Sequence, residues 1–254
     1  MIADLLARHS ASALVLLVAA AFIASLARGF SGFGGALIFV PLASAAVGPQ
    51  AAAPILLVID GIAQLALLRN AWRQANRREV GIMAMGALVG IPLGAAILAY
   101  VDATTLRWAI AVLIVAMLAL LISGWRYHGQ PSTAATVGVG FSAGILSGAV
   151  QAAGPPVVAY WLGGSSSALT VRANIILFFF CTSVVACISY LATGLLGLDV
   201  LLLSALTAPG YAFGMFLGTR MFGLASDAMF RRICFALIAA AAVISLPVLD
   251  AARR

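Results

Sequence analysis

Across 254 residues the chain is 64% hydrophobic and 8% charged, with a mean hydropathy of +1.16, whereas a soluble domain has roughly 45–50% apolar and 25% charged residues. This composition excludes a soluble domain and leaves a polytopic membrane protein, one transmembrane domain over 1–254 with room for roughly eight helices at about 20 apolar residues per crossing. The net charge of +7 rests on fourteen arginines and no lysine; loop arginines orient a membrane protein, and nucleic acid is not an expected partner.

Apolar runs bounded by polar or turn residues predict helices at 12–28, 34–47, 51–68, 80–100, 105–124, 135–162, 168–192, 199–219 and 229–249. The first run, with Arg8 ahead of it, reads as a membrane segment and not as a cleaved signal, because the apolar character continues beyond it. It leads into Arg28-Gly-Phe-Ser-Gly-Phe-Gly-Gly-Ala-Leu-Ile-Phe-Val-Pro-Leu42, which sets four glycines, a proline and a full charge in apolar surroundings. Glycine costs about 1 kcal/mol and proline about 3 kcal/mol in a helix interior. At membrane depth such backbone is tolerated where it lines a cavity. Arg28 follows a long apolar run, and an intramembrane arginine pairs with something or binds something; its fork of fixed donors suits sulfonate, sulfite or carboxylate. Asp60 lies mid-way along the run Ile55–Leu68. It is read as the counter-ion of Arg28, as a proton carrier, or as both.

The most polar stretch, Arg69–Glu79, holds Arg69, Arg73, Arg77 and Arg78 and is placed as a cytoplasmic loop. Further on, Gly144-Ile-Leu-Ser-Gly-Ala-Val-Gln-Ala-Ala-Gly-Pro-Pro156 forms a second small-residue bend. Shifting the sequence by 120 residues aligns Gly34 with Gly154, Leu42 with Leu162, Val80 with Val200, Gly90 with Gly210 and Gly94 with Gly214; a shift of 124 aligns Arg107 with Arg231 and Ile114 with Ile238. Duplication is the better account, with repeats at 12–124 and 135–249. If the first element of each half crosses once, the repeats are parallel; if it turns back as a hairpin, they are inverted. Arginine counts barely separate the two, and single, broken crossings are favoured. Interrupted segments at corresponding positions of two halves point to a transporter's binding site, where helix ends offer free N–H groups to an anion.

The two bends, G-F-S-G-F-G-G-A-L-I-F-V-P-L and G-x-x-x-G-x-x-x-x-x-G-P-P-V-V-A-Y-W-L, resemble the paired motifs of the TauE/SafE sulfite exporter family. The resemblance covers the whole protein in length, repeat order and motif position. It implies secondary transport of small anions, chiefly sulfite, sulfoacetate and other sulfur-containing organic acids, coupled to protons. Two departures from the commoner pattern are Phe33-Gly34-Gly35-Ala36 for a three-glycine run, and Gln151-Ala152-Ala153 where a glycine is often seen.

The expected substrate-binding set is Arg28, Gly29, Ser31, Gly32, Gly34, Gly35, Gln151, Gly154, Pro155, Arg172 and Asn174, with Asp60 as proton carrier or ion-pair partner. The plainer account of Arg172 is a positive-inside anchor, and of Asn174 a helix cap; Ser147 is the weakest of the neutral donors. Trp72, Trp108, Trp125, Trp161, Tyr100, Tyr127 and Tyr160 fall at predicted helix ends and read as an interfacial belt. Gly90–Gly94 and Gly210–Gly214 read as internal helix contacts before a homodimer seam. Cys181, Cys187 and Cys234 have neither zinc nor disulfide spacing. His9 and His128 stand apart, and no hydrolase elbow, metal motif or nucleotide loop is present. No catalytic residue, metal or cofactor is expected. The protein reads as an all-α, multi-pass permease of the inner (plasma) membrane, with the lipid bilayer and a small anion as partners. A rival of another class is a non-transporting scaffold whose glycines only let helices pack; an intramembrane enzyme lacks a nucleophile and base together.

Overall fold

The computed structural model describes residues 10–31, 34–127, 132–164, 167–221 and 227–247. Gly32, His9 and His128 lie outside the described residues, and so does the side chain of Ser31. Ten helices are described: α1 (Ala11–Ser31), α2 (Gly35–Val47), α3 (Pro49–Gln74), α4 (Arg77–Tyr100), α5 (Ala103–Ser123), α6 (Thr133–Val150), α7 (Gly154–Trp161), α8 (Ala168–Ala192), α9 (Leu198–Met221) and α10 (Asp227–Ile244). No strand occurs among the described residues. Polar N-caps set several boundaries: the side chains of Asp102, Ser132 and Ser167 accept from the third residue beyond themselves, at α5, α6 and α8. Gly34 (φ 90°) supplies the left-handed turn between α1 and α2.

The expected run at 135–162 is two helices. Gln151 takes φ 57° as the C-cap of α6, with its amide on Ser147 O at 3.0 Å and the Ala152 amide on Leu146 O at 3.3 Å, a Schellman-type stop. Pro155 and Pro156 then occupy the first turn of α7, where missing N–H groups are harmless. The expected loop at 69–79 is also different. Helix α3 runs through Arg69 and Arg73, and only Ala75 and Asn76 interrupt it before α4. Asn76 caps α4 by accepting from Glu79 N at 3.3 Å, while its own amide reaches Glu79 Oε1 at 2.8 Å, a reciprocal capping pair.

Six of the described helices, α1, α4, α5, α6, α8 and α9, are long and apolar enough to cross a membrane. Helix α3 adds a seventh if its two parts, Pro49–Leu65 and Leu67–Gln74, bent by 68°, count as one span. The shortfall from eight has a geometric cause. At about 1.5 Å per residue, α2 and α7 are far shorter than the ~30 Å hydrocarbon core, and both turn back beside the helix before them. The start of α2 lies on the last turns of α1, with Gly35 against Ala24 O and Arg28 Cβ, while its end, Val47, lies by Val200. In the second hairpin Tyr160 OH meets Thr136 Oγ1 at 2.6 Å and Tyr127 N donates to Ala159 O at 3.0 Å. The favoured single crossings are thus replaced by helical hairpins.

Two glycine seams join these hairpins to distant helices. Gly86, Gly90 and Gly94 of α4 meet the backbone of Val137–Gly140, Phe141–Gly144 and Ile145–Gly148 of α6. Gly210, Gly214 and Gly218 of α9 meet Val18, Phe22 and Leu26 of α1, and Gly29 of α1 meets Met215–Thr219. Residue numbers rise together on both members of each seam, so both pairs are parallel. The turns α3–α4 and α5–α6 and the ends of α1 and α9 therefore share one end of the bundle, which also bears Arg69, Arg73, Arg77, Arg78, Arg126 and Arg220. This is called the arginine end below. The opposite end holds Gln50, which donates to Val101 O at 3.2 Å, and Arg107, which donates to Ser245 O at 3.0 Å.

Trp72, Trp108, Trp125 and Tyr100 are all exposed, as belt residues must be. The belt fails for Tyr160 and Trp161, each 3% exposed: the short return of α7 carries both inward, where Trp161 stands edge-on to Phe178 at 5.9 Å.

A Cβ added at Gly90 would land on the carbonyl oxygen of Phe141, whereas one at Gly81 would meet open space. Gly90→Ala is therefore expected to lose about 1–3 kcal/mol to overpacking, read as an earlier thermal transition in detergent, and Gly81→Ala is expected to match or exceed wild type.

Candidate functional site

The polar centre of the bundle is built on Asp60. Helix α3 carries it among Ile55, Leu56 and Ile59, all buried in the larger apolar cluster. Arg28, from the last turn of α1, places Nε 2.5 Å from Asp60 Oδ1; the two side chains are 14% and 13% exposed. Tyr211, from α9, donates its hydroxyl to the same oxygen at 2.6 Å. Gln64, one turn beyond Asp60 on α3, donates Nε2 to Oδ2 at 2.6 Å. Phe179 of α8 closes the other side, its ring 5.7 Å from the Arg28 guanidinium carbon, within cation–π range. Three helices, α1, α3 and α9, thus converge on one carboxylate, and α8 packs on its arginine partner. The carboxylate carries three charge-assisted or polar hydrogen bonds, the strong kind in a water-poor site.

Several of the expected residues frame this centre. Gly34 makes the left-handed turn after α1, and Gly35 lets α2 start against Arg28, since a Cβ there would stand 3.2 Å from Arg28 Cβ. Gly29 serves the α1–α9 seam, where an added Cβ would stand 2.5 Å from Met215 O. The other expected residues lie elsewhere. Gln151 offers Nε2 to Tyr190 OH at 3.3 Å, and that hydroxyl donates to Gly148 O at 2.6 Å, tying the second bend to α8. Gly154 and Pro155 are buried at the start of α7. Arg172 is exposed at the start of α8. Asn174 is fully buried and accepts from Asn76 N at 2.7 Å, fastening α8 to the α3–α4 turn. No described contact joins Gln151, Gly154, Pro155, Arg172 or Asn174 to Asp60. The seams account for this separation: the first bend lies where α9 finishes, and the second where α4 finishes, at opposite ends of the bundle.

Tyr211, Gln64, Phe179 and Tyr190 are absent from the expected set. Gln64 has a legible signal, being a polar residue four positions from Asp60 and so on its face of the helix. Tyr211 lies 151 residues from Asp60 and no local pattern links the two.

With this arrangement in view, the family model described as Sulfite exporter TauE/SafE matches residues 17–245. The chain belongs to the TauE/SafE sulfite exporter family. It is a multi-pass membrane protein of a transporter family, and the match spans both bends, both seams and the Asp60 centre. No curated protein and no solved structure matches it.

Removing one partner of a buried ion pair costs about 3–5 kcal/mol, whereas replacing both is often close to neutral. Arg28→Ala and Asp60→Ala are each expected to lower the unfolding transition sharply, and the double variant to recover much of the loss. A double-mutant cycle of thermal stability in detergent measures the coupling.

Proposed function

We propose that this TauE/SafE protein is a secondary transporter of a small sulfur-containing or carboxylic anion, and that its anion site is Arg28 with Gly34 and Gly35 beside it. The observation that carries this reading is the Arg28–Asp60 pair, a fixed guanidinium and a carboxylate held together inside an apolar bundle. A substrate anion and the Asp60 carboxylate offer the same charge to the same guanidinium, so they compete for it. Protonating Asp60 cancels its charge and releases Arg28 to the anion, which couples one proton to one anion. The planar fork of arginine suits sulfite, sulfonate and carboxylate oxygens.

The architecture proposed for this exchange is two inverted halves. Counting elements, α1–α5 leads from the opposite end to the arginine end and α6–α10 leads back. Swapping the halves exchanges the α4–α6 seam with the α9–α1 seam, which supports duplication. Arginines at one end, with Arg107 at the other, support a cytoplasmic arginine end in the inner membrane.

Proteoliposome uptake with sulfite, sulfoacetate, taurine and small carboxylates tests the reading; flux of none of these anions by folded protein would sink it. Arg28→Ala is expected to weaken anion affinity roughly ten- to hundredfold, the equivalent of about 1.5–3 kcal/mol for a hydrogen bond to a charged group. Asp60→Asn is expected to keep anion exchange and lose its acceleration by an imposed proton gradient. Transport by Asp60→Asn with the wild-type pH profile would remove Asp60 as proton carrier.

A further inference from the structure

Gln64 has a property that ion pairing alone does not require. Its side chain is 5% exposed, its Nε2 donates to Asp60 Oδ2 at 2.6 Å, and its Oε1 is buried without a hydrogen-bond partner. Buried polar atoms are nearly always satisfied, and each exception in a folded protein calls for a physical reason. Here the reason follows from the two states of a carboxyl group. Ionised, Asp60 only accepts; protonated on Oδ2, it presents an O–H that needs an acceptor. The Gln64 amide carries both complements on one rotatable group, and only the donor is in use.

We propose that Gln64 is the positioning residue for the proton on Asp60, turning its amide when Asp60 is protonated so that Oε1 accepts the Oδ2 hydrogen. This rests on the proton-coupled reading above and assigns to it a residue with no part in anion binding. Asp60 Oδ2 takes one proton from water and goes from charge −1 to 0. The Oδ2–H bond points at Gln64 Oε1, Nε2 leaves Oδ2, and the Arg28 charge is left for the incoming anion. On release the proton returns to water and the amide turns back. Of the other groups meeting Asp60, Arg28 from α1 stays charged and Tyr211 from α9 donates to Oδ1 in both states. Helices α2 and α6, also packed on α3, carry no titratable side chain. Those of α4 and α5 lie near the helix ends. From α8 the described contact at this centre is the Phe179 ring. Among the described groups, Gln64 is therefore the one placed at Oδ2 that can accept from the protonated acid, while the bonds of Arg28 and Tyr211 lie on Oδ1.

Infrared difference spectra of the full-length protein, recorded across a pH titration in lipid, read both groups directly. The expected spectrum contains a carboxylic C=O band absent from Asp60→Asn, and with it a shift of a glutamine amide carbonyl band absent from Gln64→Met. Isotope-labelled glutamine assigns the band to the glutamines of the wild-type protein, and its loss in Gln64→Met selects Gln64 from the five in the sequence. In transport, Gln64→Glu places a second carboxyl against Asp60 and is expected to raise the pH midpoint by about 1 unit or more, as two carboxyls sharing a proton do. An Asp60 band that titrates with no glutamine component overturns the role of Gln64 and leaves the transporter reading intact. So does a Gln64→Glu midpoint equal to wild type. An unchanged pH profile in Asp60→Asn overturns the proton-coupled reading beneath it.

Discussion

Two lines of backbone-to-backbone contact hold this bundle, and each exists because glycine leaves nothing between the helices. In lipid the hydrophobic effect does not drive one apolar helix onto another, so association depends on close packing and on polar contacts. The α4–α6 and α1–α9 seams supply the first. Apart from Gly210, which is in ordinary contact with Val18, the glycines of α4 and α9 named in these seams sit where a Cβ would collide with a carbonyl oxygen of the facing helix, so the close spacing of each pair follows from them. The short returns α2 and α7 are then confined to the space that the seams leave.

The Asp60 centre depends on the same constraint. Arg28 and Gly29 are neighbours on α1; Gly29 fixes the helix against α9, and Arg28 leaves the seam for α3. Tyr211 stands between two seam glycines of α9, Gly210 and Gly214, and reaches the same carboxylate. One seam therefore delivers two of the three donors on Asp60. Gln64 comes from α3 itself, just before the helix bends. A glycine change along α1 or α9 would move both distal donors at once.

How much of this is readable from sequence depends on which physical property each residue expresses. Helix positions are legible because apolar runs and polar breaks mark them, and Arg28 with Asp60 is legible because two opposite charges in apolar sequence demand each other. Direction is not. Hydropathy carries no sign along the sequence, so a hairpin and a broken crossing read alike until Tyr160 is seen on Thr136. The capping pair of Asn76 and Glu79 is present in the letters, yet the arginines around it draw the reading to a loop. Trp161 misleads because a tryptophan at a segment end signals an interface only if that end reaches one, and α7 stops inside. Gln151 occupies a left-handed position that glycine would fill more easily.

The spacing of the partners along the sequence bears on how the protein is made. Arg28 and Asp60 belong to the first three helices and meet once α3 is in the bilayer, so this intramembrane charge is neutralised within the first three helices. Tyr211 follows 151 residues after Asp60, roughly 8–30 s later at 5–20 residues per second of synthesis. Over that interval the glycine face of α1 has no seam partner and lies against lipid. The arrival of α9 then supplies a helix surface and a hydroxyl together.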